Sequence, residues 1–281
     1  MMRQLLCAFS LVMLLSACSS TTDVSSGEDY LARHNLAATT DSNTKASENK
    51  KQTFADLLRD AASVEPTLQF PARIGLARIK NGELSDIPPA EAAAWGKFAQ
   101  ADGKTFGEFT PVNPTIASMF QDAANNFTPN YYPYRSSSEG TINKIRLTAA
   151  RQHLDAVLIY EVHSKHSKDD NLLAVGKITV IGGFILPSKS IETEGYATAT
   201  LIDVMQAYPY GTVQAYADKD TSYASAWGWG DTYDSDLVGK IEATAVERLT
   251  VETGTMLEKL RKQLAEVQAK KQVKKISSKK Q

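Results

Sequence analysis

The sequence is short of several things, and each shortage excludes something. It has only two cysteines, Cys7 and Cys18, which sets aside a disulfide framework. It has no cationic excess: 31 Lys and Arg face 32 Asp and Glu, for a net charge of −1. That argues against a broad nucleic-acid surface. It has no long apolar run. Residues 5–15 form the first one, too short to cross a hydrocarbon core of roughly 30 Å as a helix. Catalytic signatures are missing as well: no nucleophile elbow, phosphate loop or His-Glu zinc helix is present. The acids of residues 230–236 lack the glycine and distal Glu of a calcium loop and suit a loop that caps a helix. What remains is an ordinary globular composition, 42% hydrophobic over 281 residues, enough for one or two domains.

The N-terminus is the most informative stretch. Arg3 followed by the apolar residues 5–15 has the shape of a secretory signal peptide, expected over residues 1–17. Leu15-Ser16-Ala17-Cys18 then resembles a bacterial lipobox, with Leu at −3, small residues at −2 and −1, and Cys at +1. The resemblance implies that Cys18 carries a diacylglyceryl group and becomes the first mature residue. Ser19 rather than Asp follows it, which by resemblance to Gram-negative lipoproteins implies sorting to the outer membrane, palmitate-type lipid included. Lipidation also accounts for a lone thiol in an oxidising compartment, and several acyl chains hold far better than one. With Cys7 removed, the mature chain has no disulfide and rests on core packing.

Residues 18–51 read as a lipidated flexible tether, rich in Ser, Thr, Asn and Asp, with a reach of roughly 30 Å. Tyr30 and Leu31 stand out there as a short docking turn. The expected periplasmic domain spans residues 52–255. Its first helix takes Phe54, Leu57, Leu58, Ala61 and Ala62 at helical spacing. "ARIGLARI", residues 72–79, alternates as a strand and closes on Asn81-Gly82. Pro88-Pro89 opens a helix carrying Trp95 and Phe98. Residues 141–156 form a helix and run straight into the apolar strand 156–162, which predicts parallel pairing with the first strand. Residues 172–185, 191–204 and 211–220 are strand candidates, the last two joined by a hairpin at Pro209 and Gly211. Residues 234–272 form one long helix whose first half packs on the sheet, and residues 273–281 a frayed basic tail. The fold class expected is α+β with α/β character: a mixed sheet of about four or five strands, an antiparallel hairpin, packed helices and a long C-terminal helix.

The centre of the chain, "AARQHLDAVLIYEV" followed by "IGGFILPSKSIETEGYATATLIDVMQAYPYGTVQAYA", resembles the rhombotail-type bacterial lipoproteins, as do the lipobox and the strand "RIGLARI" after the tether. More loosely, the layout is similar to the periplasmic α/β domain of curli-secretion lipoproteins, penicillin-binding-protein activator lipoproteins and the N-terminal part of TolB. The chain departs from the first family by closing on lysines. The resemblance implies place and fold and brings no activity with it.

Candidate site residues follow from the loops. "NYYPYR" offers Tyr131, Tyr132 and Tyr134; "YASAWGWGDTY" offers Tyr223, Trp227, Trp229 and Tyr233. Loop aromatics anchor partners or stack on sugar rings, and they equally cap a core. "EVHSKHSKDD" offers His163 and His166 as weak metal candidates, because residues three apart on a strand point to opposite faces and a hairpin tip is the simpler reading. No cofactor and no metal is expected, and no nucleic-acid partner. The expected partners are the membrane through Cys18, an envelope protein, and cell wall or anionic lipid through the basic tail. The function expected is a non-catalytic binding or accessory scaffold in an envelope assembly, anchored in the outer membrane and facing the periplasm. Alternatives are an oligomeric subunit of a lipoprotein secretion channel and a cell-wall or polysaccharide hydrolase.

Overall fold

A computed structural model of the chain describes residues 19–22, 24–34, 53–120, 137–170, 189–224 and 235–278. In chain order these form β1 (Ser19–Thr21), α1 (Gly27–Arg33), α2 (Phe54–Ala62), β2 (Ala72–Lys80), β3 (Glu83–Ser85), α3 (Pro89–Phe106), β4 (Gly107–Pro111), α4 (Pro114–Ser118), α5 (Ser137–Arg151), β5 (Ala156–Asp170), β6 (Lys189–Asp203), β7 (Pro209–Ala224) and α6 (Ser235–Ser278).

Seven strands make one mixed sheet in the order β1-β7-β6-β5-β2-β3, with β4 also on β2. The fold class is the expected α+β, with more strands than expected because β1 and β3 are short and polar. β2 pairs in parallel with β5, Ile74 opposite Ala156, as the helix-into-strand succession predicts. The outer edge of β2 is shared: β4 runs parallel along its start, and β3 folds back on its end through Asn81 and Gly82, both at positive φ as a tight hairpin requires. The remaining ladders, β5 with β6, β6 with β7 and β7 with β1, are antiparallel.

Alternation along β2 and β5 sends side chains to two cores. One core lies under α3 and α6. It takes Ile74, Leu76, Leu158 and Tyr160 from β2 and β5, Ala197, Ala199 and Leu201 from β6, and Val213 and Ala215 from β7. Trp95 and Phe98 of α3 and Leu249, Met256, Leu257, Leu260 and Leu264 of α6 close it. The other core is smaller and lies under α5. Ala77, Ile79, Val157 and Ile159 meet Ile145, Ala149 and Leu154 there. Helix α6 is 44 residues, about 66 Å long. It approaches β6 so closely that a Cβ on Gly195 would lie 2.5 Å from Ile241 Cγ2.

Four expectations are corrected. Residues 19–22 and 24–34 are not a free tether: β1 pairs with β7, and α1 buries Leu31, the docking point anticipated. Edge pairing uses main-chain groups, so a polar composition does not forbid it. Residues 161–170 are not a hairpin tip, because β5 runs on as a strand to Asp170, paired throughout with β6. α6 packs well past its first half, with Leu260 and Leu264 buried. It also stays helical through residues 273–278, expected to fray, since Lys271 and Lys274 find carboxylates there. The expected strand 172–185 lies outside the described residues.

Candidate functional site

Helix α5 covers only part of its face of the sheet. The core beneath it takes Ile202 and Val204 from the end of β6 and nothing from β7. Beyond it, the described side chains of that face on β5, β6 and β7 are polar and aromatic. Its centre is an aromatic row across three strands. His163, Tyr196 and Tyr216 are register partners, His163 opposite Tyr196 and Tyr196 opposite Tyr216. The imidazole stacks on Tyr196 with ring centroids 4.8 Å apart, and Tyr196 and Tyr216 are 6.1 Å apart. Tyr196 is 37% exposed and Tyr216 48%. Glu161, two residues before His163 and so on the same face, places Oε2 3.3 Å from His163 Nε2. Thr200 and Thr212 continue the row with a hydroxyl pair at 3.1 Å. Flat aromatic surface beside hydroxyls and one carboxylate suits binding by stacking and hydrogen bonds.

The opposite face fixes the strands that present this row. Arg78 occupies an apolar-row position of β2 and is buried. Its Nε donates to Glu91 at 3.1 and 2.9 Å, its Nη1 to Ser85 Oγ at 3.3 Å, and its Nη2 lies 3.6 Å from Glu242 Oε2. Tyr160 of β5 donates its hydroxyl to Glu91 at 2.9 Å. Burial, and then the Glu91 carboxylate, push that phenol far above its ordinary range, so it stays a donor. One buried carboxylate thus joins β2, α3 and β5, and Arg78 extends the link to α6. On the β7 edge, Arg248 of α6 donates to the Tyr216 carbonyl at 2.8 Å and pairs with Asp218, whose carboxyl it holds below the usual range. At the β6–β7 turn, Asp203 accepts from Met205 N and Gln206 N at 2.8 Å and from Tyr210 at 2.8 Å. Burial, then Asp203, push the Tyr210 phenol up to about 12.

The N-terminal segment forms a second assembly. Lys259 donates to Ser20 Oγ at 3.0 Å and Gln263 to the Thr22 carbonyl at 3.1 Å, so α6 runs beside β1. Glu65 accepts from Ser26 Oγ at 2.8 Å and from Glu28 N at 2.9 Å, which ties the start of α1 to the chain beyond α2. Lys271 lies 2.7 Å from Glu65, and Lys274 2.6 Å from Glu28. Burial alone pushes the Glu65 carboxyl up, but Lys271 and the donors from Glu28 and Ser26 outweigh it and hold the group below its ordinary value.

Of the residues singled out from the sequence, Cys18, Tyr131, Tyr132, Tyr134, Trp227, Trp229 and Tyr233 lie outside the described residues. Tyr223 lies in β7 at the register position opposite Ser190. His163 and His166 both lie in β5, and no cluster of metal-ligating side chains occurs among the described residues. Sequence reasoning missed Tyr196 and Tyr216. Both alternate with buried small residues, Ala197 and Ala215, and that alternation was a readable sign of two aromatics on one open face. Arg78 in the apolar row was a readable sign of a buried charge in need of a partner.

No family model and no curated protein matches the chain. Several solved structures of bacterial proteins show partial likeness, one of them a lipoprotein by its description. A PelC dodecamer from Paraburkholderia phytofirmans is 14% identical, covering 65% of this chain and 91% of that one, with a TM-score of 0.28. Lipoprotein GNA1162 from Neisseria meningitidis is 13% identical over 64% and 98%, with a TM-score of 0.30. The LpoB C-terminal domain from Salmonella enterica is 14% identical over 54% and 84%, with a TM-score of 0.22. At such scores the likeness establishes neither family nor function. No helix among the described residues is long and apolar enough to cross a membrane.

Proposed function

We propose that the chain is a rhombotail-type lipoprotein, anchored through Cys18 in the outer membrane, whose periplasmic domain acts as a non-catalytic scaffold in an envelope assembly. The observation that carries the binding role is the row His163–Tyr196–Tyr216, held open on a sheet whose other face is locked by buried charge. Such a face offers stacking area at low entropic cost, since each tyrosine has few rotors to freeze.

The test is site-specific photo-crosslinking in intact cells from position 216, with position 100 on α3 as the exposed control. The expected result is one envelope protein captured from position 216 and not from position 100, lost when Tyr196 is changed to Ala. Equal capture from both positions refutes the reading. Mass spectrometry of the mature chain tests the anchor separately: a diacylglyceryl adduct on Cys18 is expected.

The length of β5, β6 and β7, at 15, 15 and 16 residues, favours a second reading as a ring-forming channel subunit. A monomer after detergent extraction removes it.

A further inference from the structure

Helix α2 is amphipathic with its apolar side turned outward. Phe54, Leu57 and Leu58, at the i, i+3, i+4 positions of one stripe, are 74%, 50% and 56% exposed, and no residue of α2 is buried. A surface helix ordinarily turns such a stripe to the core. Single exposed apolar residues are normal; three large ones in a row on nine residues mark a contact surface. The helix does not need that stripe to exist. Thr53 and Asp56 form a full capping box, Thr53 Oγ1 accepting from Asp56 N at 3.2 Å and Asp56 Oδ2 from Thr53 N at 3.0 Å.

What surrounds α2 says what covers it. Its C-terminal end is fastened to the N-terminal segment: Gly27 lies so close that an added Cβ would be 2.5 Å from the Ala62 carbonyl oxygen. The Glu65 contacts with Ser26 and Glu28 secure the same junction. That segment begins one residue after Cys18. The end of α6 reaches the junction too, through Lys271–Glu65 and Lys274–Glu28. After Glu266 the chain has no acidic residue and six lysines, at 270, 271, 274, 275, 279 and 280. Val273 and Ile276 stand exposed among them. Lys50 and Lys51 precede α2 in the sequence.

From these features we infer that α2, together with the end of α6, is a second membrane contact: an interfacial patch that lies on the anionic lipid surface into which Cys18 is anchored. Apolar side chains enter the headgroup boundary and lysines meet the anionic headgroups. The lipid on Cys18 keeps that surface at high local concentration, so a weak patch suffices. A second copy fits less well. Five apolar side chains fall short of the roughly 800 Å² per partner of a stable interface, and like-charged lysines would face each other. The inference rests on the reading that Cys18 is lipidated.

The full-length protein carrying Leu58→Cys, labelled there with an environment-sensitive fluorophore, is reconstituted into vesicles with lipid-borne nitroxide quenchers. Gln100→Cys is the control site. Vesicles contain either phosphatidylcholine alone or phosphatidylcholine with 30% phosphatidylglycerol, a level chosen on the order of cellular anionic lipid. Strong quenching at position 58 in anionic vesicles, at least about threefold above position 100, is expected. Lys50→Gln, Lys51→Gln, Lys270→Gln and Lys275→Gln together should halve it. Acylation of Cys18 is read in parallel by mass. An acylated chain with no quenching at position 58 overturns the inference and leaves the anchor standing. A shielded label with no lipid quenching, in a particle of dimer mass, overturns it in favour of a second copy. Quenching with a free Cys18 supports the patch and rejects the anchor.

Discussion

One face of the sheet is covered by a continuous core, and the other changes character halfway across. Under α3 and α6 the strands β2, β5, β6 and β7 all contribute side chains to one core, closed by Trp95 and the leucines of α6. On the reverse face α5 covers β2 and β5, and beyond it β6 and β7 turn Tyr196, Thr200, Thr212 and Tyr216 to water. The same strands build both faces. The difference teaches where to look for function: a face that packing does not need is free to be used by a partner, whereas the covered face answers to stability. A set of substitutions can break or sharpen that contrast.

The largest loss is expected from Glu91→Ala on the covered face. It would leave Arg78 with Ser85 and the more distant Glu242 carboxylate as its partners among the described residues, and the Tyr160 hydroxyl without its acceptor. Removing one partner of a buried ion pair costs about 3–5 kcal/mol. The urea midpoint should fall with an unchanged slope. A loss below about 1 kcal/mol would mean that the charge network is not what locks the strands together. Leu249→Ala, in the same core, should cost about 2–5 kcal/mol. Gln214→Ala, on the reverse face of β7, should stay within about 0.5 kcal/mol. Equal costs at the two positions would erase the contrast between the faces.

The two faces were not equally legible. Parallel pairing of β2 with β5 followed from a helix running directly into an apolar strand, and the apolar row of β2 even carried Arg78 as its odd member. The long helix was legible from its spacing as far as Val267. Beyond that, periodicity is silent, because the lysines that stay helical are held by Glu65 and Glu28 from distant parts of the chain. β1 was illegible for a related reason. Ser19–Thr21 contributes main-chain bonds to an edge strand, and no side-chain pattern records those. The open face carries two aromatics that loop composition does not point to: Tyr196 and Tyr216 sit inside strands, where alternation records the fold and the exposed row at once. Of the loop aromatics, only the backbone position of Tyr223 falls within the described residues.

Acid should separate the N-terminal assembly from the sheet it borders. The Glu65 carboxyl is held below its ordinary value, 4.5, by Lys271 and its donors against the pull of burial. A depressed folded value means the group stabilises the dock above the unfolded value and loses that contribution as pH falls through the folded one. Protection of the α1 amides from hydrogen exchange, relative to the free-chain rate at each pH, should therefore fall below about pH 4.5, before that of the β5 and β6 amides. Glu65→Gln should remove that pH dependence. Protection lost in α1 and β5 together would show that the N-terminal segment is part of the body and not a dock on it.

A small stability effect is also expected at the residues proposed to matter most to a partner, and there it is the sharpest test. Tyr196→Ala removes two ring contacts on a half-exposed face, worth about 1 kcal/mol or less. Tyr216→Ala removes one and leaves the Arg248 bond to its carbonyl in place, since that bond is to the main chain. Both variants should melt close to the parent, yet Tyr196→Ala should lose the crosslink from position 216. Tyr196→Phe, which keeps the rings and drops one hydroxyl, divides stacking from hydrogen bonding: a retained crosslink assigns recognition to ring area, and a lost one to the hydroxyl. A large destabilisation by either alanine would turn the row into a structural element like the core behind it, and the contrast between the two faces would fall with it.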